Sequence, residues 1–370
     1  MWQPDGCDSI DSMPSQLAHL VFSVQSIGAA FDHAPVALDS PYVGFGAQGP
    51  DVFYHNRRRK PSGLEYGALL HRRGYGSAVA ALVRYARDNQ LRLESDYGAY
   101  VLSFATHALL DRFIHPFINY FAGWGARRTT APQALPFQLH AYFERVLDCL
   151  LLERFWSRNA AGFDFAAAFD CGDDLPPPIA AGLTAALSAV TERAARDPQL
   201  ADRLRNAYLD SLGFYRTTNM VDAARLRSMI QQVNDPQRLA RWLSLIHPLE
   251  LPADIDLTNE AHGGWYHPCG NGEPRHESFW DLWRAALQHA PAVLQAVASA
   301  WSGNIDPDSL IQIVGNQNLS DGRHVGHPCR KRRCNPLPLA DHLTRLVGER
   351  AQRLLSVESA VTRSADRPED

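Results

Sequence analysis

Apolar residues recur with helical spacing along most of this chain. A period near 3.6 residues predicts amphipathic helices, and the alternation typical of strands is scarce. The predicted helices span residues 15–31, 77–89, 95–121, 136–158, 178–195, 198–214, 222–233, 236–246, 278–301 and 337–356. Ser77 and Ser95 are suitable N-caps, and Pro116 should end or bend its helix. We therefore predict an all-α protein.

Segments rich in proline and glycine separate these helices and suggest how the chain is divided. The main ones are a loop at 44–61, a predicted boundary at 172–178, and long irregular stretches at 248–274 and 302–336. We predict a metal-binding helical core at 13–160 and a helical middle segment at 161–245. A C-terminal unit at 246–356, a loop plus a helix, should pack back on the core, and 357–370 should be a disordered tail.

Composition narrows the function classes only slightly. The chain has 370 residues with 45% hydrophobic and 21% charged residues, which is typical of a globular protein. A net charge of −4 predicts no general attraction to nucleic acid or anionic lipid. No apolar run approaches the roughly 20 residues of a membrane span, and the start lacks the pattern of a signal peptide. Six irregularly spaced cysteines argue against a disulfide framework. These features together predict a cytoplasmic protein.

The segment around His107 combines ionisable residues with helical spacing. His107, Asp111 and His115 follow one another at intervals of four residues, so a helix places them on one face. Their neighbours are apolar, and ionisable groups in a buried helix are costly unless they are paired or bind a metal. His107 and Asp111 are therefore predicted to chelate one ion. His115, about 6 Å further along the helix axis, could serve a second ion.

The same spacing of a histidine and a carboxylate recurs at His140 and Glu144, which are four residues apart on an apolar helix. His19 lies in an apolar helix, Asp51 follows Gly-Pro, and His71 follows two leucines. Taken singly, a histidine on an apolar face is more often a hydrogen-bonded core residue, and Pro-Asp is often just a turn. Together they indicate a metal site, since imidazole and carboxylate are the ligands that zinc accepts in the absence of thiolate.

A separate zinc site involving cysteines is the weaker alternative. His267-Pro-Cys269, His327-Pro-Cys329 and Cys334 offer possible ligands, but their spacing is not that of a zinc ribbon. The chain contains neither a phosphate-binding G-x-x-x-x-G-K-[ST] loop nor a G-x-S-x-G nucleophile elbow. The sequence therefore offers no motif for a P-loop nucleotide hydrolase or an α/β-type serine hydrolase.

The ordered set of ligands resembles that of zinc-dependent phospholipase C, over roughly residues 13–160. It comprises His19, Gly49-Pro50-Asp51, His71, the block from His107 to Pro116, and His140 with Glu144. The family, which shares its fold with single-strand nucleases and 3′-nucleotidases, is a multi-helix bundle with a multi-zinc cleft. The chain differs in two respects: it lacks the processed N-terminal tryptophan of secreted members, and its Asp111–His115 spacing is two residues shorter.

By position, the resemblance implies that Asp51, His71, His107 and Asp111 hold one zinc ion. Asp111 would bridge to a second ion that His19 also binds, and His115, His140 and Glu144 would hold a third. The expected cofactor is thus two or three zinc ions.

The implied activity is zinc-dependent phosphodiester hydrolysis, in which metal-activated water attacks a phospholipid phosphate and releases a phosphorylated headgroup. Asp51 could orient or deprotonate that water. The expected partner is a phospholipid or another phosphoester, with peripheral membrane contact and no transmembrane segment; nucleic acid is less expected. The alternatives are a nuclease or phosphomonoesterase on the same scaffold, or a non-catalytic metal-binding protein.

Overall fold

The computed structural model describes residues 16–123, 136–218, 233, 236–248, 250–270, 272–327, 329 and 333–345. Within these residues the protein is predominantly helical and contains no β-strand. The only extended pairing there is an isolated antiparallel bridge between Trp265 and Arg275. The all-α prediction is confirmed.

The helices are as follows in chain order: α1 (Gln16–Ala30), α2 (Pro41–Ala47), α3 (Leu64–Arg72), α4 (Tyr75–Asp88), α5 (Asp96–Phe121), α6 (Pro136–Trp156), α7 (Phe165–Phe169), α8 (Pro177–Val190), α9 (Glu192–Ala195), α10 (Leu200–Thr218), α11 (Pro236–Leu243), α12 (Phe279–Trp301) and α13 (Ser309–Val314). Short 3₁₀ helices span Gly49–Phe53 and Ala160–Gly162. Residues 339–345 form a further helical segment, α14.

Helix α5 lies at the centre of the fold. The Ser95 side chain caps it by accepting from the Gly98 amide at 3.3 Å. Most of its 26 residues are buried, as expected for a helix that is apolar on all sides. It packs against α1, α2 and α12, and α1 in turn contacts α6. This packing brings together the elements that carry the predicted ligands.

Several details differ from the sequence-based expectations. Helix α4 begins at Tyr75 after Gly74, whose φ of 81° suits glycine, rather than after Ser77. The predicted 44–61 loop contains most of α2 and the Gly49–Phe53 turn. The predicted helix at 222–233 lies outside the described residues except for residue 233. Residues 346–356 of the last predicted helix, the 357–370 tail and residues 13–15 also lie outside them.

Helix α5 does not end at Pro116 but continues to Phe121. Proline cannot donate to the carbonyl of Arg112, four residues earlier. Gly322 packs against that carbonyl, and a Cβ at this position would lie 2.9 Å from its oxygen. Because the helix is buried on all sides, tertiary packing maintains it across the missing hydrogen bond.

A disulfide joins Cys269 to Cys329, although the sequence predicted no disulfide framework. The two cysteines lie in different loops, 60 residues apart, so their pairing left no signal in local spacing. In this structure the Cys329 sulfur is bonded to Cys269 and is therefore not a thiolate that Cys329 could share with Cys334 in a metal site.

Candidate metal centre

All eight predicted ligands converge at one buried centre. They come from α1, the Gly49–Phe53 turn, α3, α5 and α6, and none is more than 6% exposed. The eight residues are His19, Asp51, His71, His107, Asp111, His115, His140 and Glu144.

Three groups of these residues have potential ligand atoms within 4.8 Å of one another. The groups are His19–Asp51–His107, His71–His107–Asp111 and His115–His140–Glu144. They overlap with the three sets implied by the family resemblance, and they differ in placing His19 with Asp51 and His107.

Asp111 occupies the middle of the centre. Its Oδ1 lies 3.2 Å from His19 Nε2 and 3.6 Å from His115 Nε2. Its Oδ2 lies 3.2 Å from His107 Nε2. The carboxylate is thus shared by imidazoles from α1 and from both neighbouring turns of α5. This position suits a group that bridges two ions.

Asp51 faces the other side of the centre. Its Oδ1 lies 2.8 Å from His71 Nε2, and its Oδ2 lies 3.8 Å from Nε2 of both His19 and His107. Asp51 lies in the 3₁₀ turn and is fully buried, rather than extending from an open loop.

Glu144 contacts both histidines of the third group, His115 and His140. Its Oε1 lies 2.9 Å from His140 Nε2, one turn away on α6, and 3.5 Å from His115 Nε2 on α5. His115 and Glu144 line a cavity of about 20 Å³, together with His19 and Asp111. Such a space accommodates roughly one water molecule or ion.

Backbone carbonyls fix the orientation of three of the imidazoles. Nδ1 of His71 bonds to the Gly67 carbonyl at 2.9 Å, and Nδ1 of His107 bonds to the Ala47 carbonyl at 3.0 Å. Nδ1 of His115 is 3.1 Å from the carbonyl of Leu319. A carbonyl can only accept, so Nδ1 carries a hydrogen and Nε2 of each ring faces the centre. Metal-binding histidines commonly have such an outer hydrogen bond. Sequence reasoning missed these acceptors, because a backbone carbonyl has no residue type to mark it.

Gly49 shows how tightly the turn packs against His107. Its φ is +52°, and a Cβ would lie 2.5 Å from Cγ of the His107 ring. Only glycine satisfies both the backbone conformation and the close approach. The Gly-Pro-Asp sequence therefore sets the separation between Asp51 and His107.

Burial and the charges within the centre shift the pKa values of its groups. Burial raises the pKa of Asp51, and the nearby His107 and His71 only partly offset this effect. Burial would also raise the pKa of Asp111, but the surrounding imidazoles of His115, His107 and His19 hold it well below its usual range. The pKa of His115 rises to about 9 despite its burial, because Asp111 and Glu144 stabilise the charged ring.

Unsatisfied polar atoms show that the residues fit a bound metal. Among the described residues, Nε2 of His107, Oδ2 of Asp51 and Asp111, and Oε2 of Glu144 have no hydrogen-bond partner. Burial lowers the pKa of His107, which favours its neutral ring. With the hydrogen of that ring on Nδ1, Nε2 is an acceptor that faces the acceptor Oδ2 of Asp111 at 3.2 Å. Buried acceptors facing one another are costly unless positive charge lies between them. The set of nitrogen and oxygen donors, with no thiolate, is one that zinc accepts.

The Cys269–Cys329 pair differs in chemistry from this centre. Asp321 lies near enough to the two sulfurs to form a fourth possible ligand set with them. Its carboxylate, however, already accepts from the amides of Arg323, His324 and Cys329 at 2.9–3.1 Å. Asp321 therefore organises its own loop.

Searches of protein-family models, curated proteins and solved structures find no match for this chain. Across the described residues, none of the helices combines the length and apolar character required for a membrane span.

Proposed function

We propose that this chain is a zinc-dependent phosphodiester hydrolase of phospholipase C type, with the phospholipase C/nuclease-like bundle that its ligand order suggests. The observation that carries the proposal is the buried set of acceptor atoms facing one another, above all His107 Nε2 and Asp111 Oδ2 at 3.2 Å. Six further imidazole and carboxylate side chains surround this pair. Such a concentration of acceptors requires compensating positive charge.

The residues would hold zinc in the sets described above. Asp51, His71, His107 and Asp111 would bind one ion, and Asp111 with His19 a second. His115, His140 and Glu144 would bind a third. When bound, clustered zinc supplies positive charge that polarises phosphate oxygens and makes water more acidic.

Asp51 is our candidate for the proton acceptor. Its carboxylate is fully buried, and burial raises its pKa, which makes it a better base than an exposed aspartate. Its neighbour His71 lies 2.8 Å away and is itself fixed by the Gly67 carbonyl, so the carboxylate is held in one orientation. In this role Asp51 would orient the attacking water and take its proton.

A non-catalytic metal-binding protein is the second candidate. It is favoured by the burial of all eight ligands and by the small cavity, about 20 Å³, beside Asp111 and Glu144. A structural zinc site is closed in this way, whereas a catalytic one keeps a position open to substrate.

The test combines metal analysis with hydrolysis assays. Mass spectrometry of the purified chain should find two or three zinc ions, and hydrolysis of phosphatidylcholine should stop on chelation and return with zinc. Turnover of nitrophenyl phosphate or single-stranded DNA but not of the lipid would indicate a phosphomonoesterase or a nuclease. Bound zinc without hydrolysis of any of these would favour the non-catalytic protein.

Asp111→Asn provides the matching variant test. The change keeps the size of the side chain and removes the shared charge, so it should abolish most hydrolysis and lower the zinc content. Glu192→Gln, the same type of change at an exposed position, should leave both unchanged. Full zinc content and full rate in Asp111→Asn would show that Asp111 is not a bridging ligand.

A further inference from the structure

One segment outside the ligand set, residues 315–327, contacts two of the predicted ligands. The Leu319 carbonyl accepts from Nδ1 of His115 at 3.1 Å. The amide of the same residue donates to the backbone carbonyl of His71 at 2.8 Å. Leu319 is fully buried. A shift of this residue would therefore disturb the orientation of His115 directly.

Helix α5 holds the beginning and middle of the segment. The Arg112 guanidinium donates to the carbonyls of Val314, of Gly315 at 2.9 Å and of Gln317 at 3.3 Å. The Asn119 side chain donates to the Ser320 carbonyl at 3.0 Å. These two side chains lie three residues before and four residues after His115, on the same face of α5. The segment is thus fixed on both sides of the imidazole that it orients.

A second loop holds the far end of the segment. Nε2 of His267 bonds to the Asp321 carbonyl at 2.9 Å. The Asp321 carboxylate accepts from the Cys329 amide, and the Cys269–Cys329 disulfide joins the two loops covalently. The disulfide is the one covalent link that the structure shows between these loops in the described residues.

We propose that residues 315–327 are a positioning segment of the metal centre, and that the Cys269–Cys329 disulfide holds this segment against His115. Reduction of the disulfide then speeds release of the ion held by His115, His140 and Glu144. The proposal rests on the zinc centre proposed above, and it is independent of which phosphoester is hydrolysed. Removing an outer hydrogen-bond partner of a metal ligand typically weakens metal binding by about 10–100-fold.

The experiment measures zinc release from the full-length, zinc-loaded protein to a chromogenic chelator. A water-soluble phosphine reduces the disulfide: the sulfur–sulfur bond breaks, phosphine and water supply the electrons and protons, and two thiols and a phosphine oxide form. We expect reduction to accelerate release of one ion by about tenfold and to leave the other ions unchanged. The Cys269→Ser/Cys329→Ser protein should release that ion at the fast rate with or without phosphine.

One control variant and one second perturbation of the segment separate a positioning role from general damage to the protein. Cys171→Ser removes a thiol outside the disulfide and should behave like the unaltered chain. Arg112→Lys keeps the charge but loses the planar fork that reaches three carbonyls, so it should also accelerate release of one ion. Replacing zinc with cobalt gives a second readout, since a change in the visible spectrum reports altered ligand geometry. If the double cysteine variant loses helical circular dichroism, reduced wild-type protein and Arg112→Lys provide the comparison.

The outcomes distinguish this proposal from the proposed function. Equal release rates before and after reduction, or six titratable thiols in the denatured starting protein, would overturn the positioning role and leave the hydrolase proposal intact. Redox-dependent release without any hydrolysis would support the positioning role and reject the hydrolase. A chain that binds no zinc at all would overturn both.

Discussion

The carboxylate of Asp148 links three parts of the fold, and its neutralisation offers a quantitative test. Asp148 lies on α6 and is fully buried. It accepts from the amides of Leu17 at 3.1 Å and Ala18 at 2.7 Å, which open α1. It also pairs with Arg145 and with Nε2 of His247, both at 2.9 Å. Asp148 therefore caps α1, which lies some 130 residues earlier in the sequence, and the amides that it caps come immediately before His19.

Replacing Asp148 with asparagine keeps the shape of the side chain but removes its charge. Arg145 is also fully buried and would lose its ion pair with this carboxylate. Breaking a buried ion pair by neutralising one partner costs about 3–5 kcal/mol. The two α1 amides would also lose a charged acceptor, although the amide oxygen of asparagine can replace part of that interaction. We expect a loss in the free energy of unfolding of about 3–5 kcal/mol.

Urea unfolding of the chelated protein, followed by circular dichroism, measures this loss without the contribution of bound metal. The matched control is Glu192→Gln, a carboxylate-to-amide change in a pair with Arg196 whose side chains are 84% and 80% exposed. Exposed pairs of this kind contribute about 1 kcal/mol or less. If Asp148→Asn cost no more than the control, the argument that Asp148 neutralises a buried guanidinium would be refuted.

Two further predictions concern the approach of the turn to the centre and its acid sensitivity. Gly49→Ala should lower zinc content and stability, because the added Cβ would overlap the His107 ring and the φ of this residue is positive. The control is Gly213→Ala on α10, where the added Cβ meets open space and neither quantity should change. Equal zinc content in the two variants would contradict this prediction. Burial lowers the pKa of His267 to about 4, and its Nδ1 accepts from the Cys269 amide, so the folded state keeps the ring neutral. In the unfolded chain His267 protonates near pH 6.5, so its contribution to the free energy of unfolding is lost as the pH falls from about 6.5 to 4. Urea titrations of His267→Gln should therefore show a smaller loss of stability over that range than the unaltered chain. Parallel curves for the two proteins would contradict this prediction.

Local periodicity was sufficient to predict the helices that carry most of the site. The spacing of apolar residues places α5 and α6 within two residues of their observed ends. His107 with Asp111 and His140 with Glu144 are separated by one helical turn, so their proximity follows from helix geometry alone. His19, Asp51 and His71 come from three other elements, and their inclusion depended on the order of ligands in a known family. Periodicity contains no information about which helices meet.

The features that the sequence did not predict are those that depend on tertiary contacts. The carbonyls of Ala47, Gly67 and Leu319 orient imidazoles, yet every residue has a carbonyl, so nothing in the sequence marks them. The pairing of Cys269 with Cys329 similarly follows from two loops that meet only in the folded chain.

The candidate metal centre and the nearby network around Asp148 differ in how their charges are balanced. Asp148 is surrounded by donors, namely the Arg145 guanidinium, the His247 ring and two amides, so this buried anion is compensated by the protein itself. Asp111 instead faces Nε2 of His107 at 3.2 Å, and the hydrogen-bearing Nδ1 of that ring is turned away toward the Ala47 carbonyl. A chain selected only for stability would provide a donor between these two atoms, as it provides donors to Asp148, because buried acceptors that face one another oppose folding. The contrast between Asp148 and the candidate centre is therefore a structural argument that the centre could bind a cation.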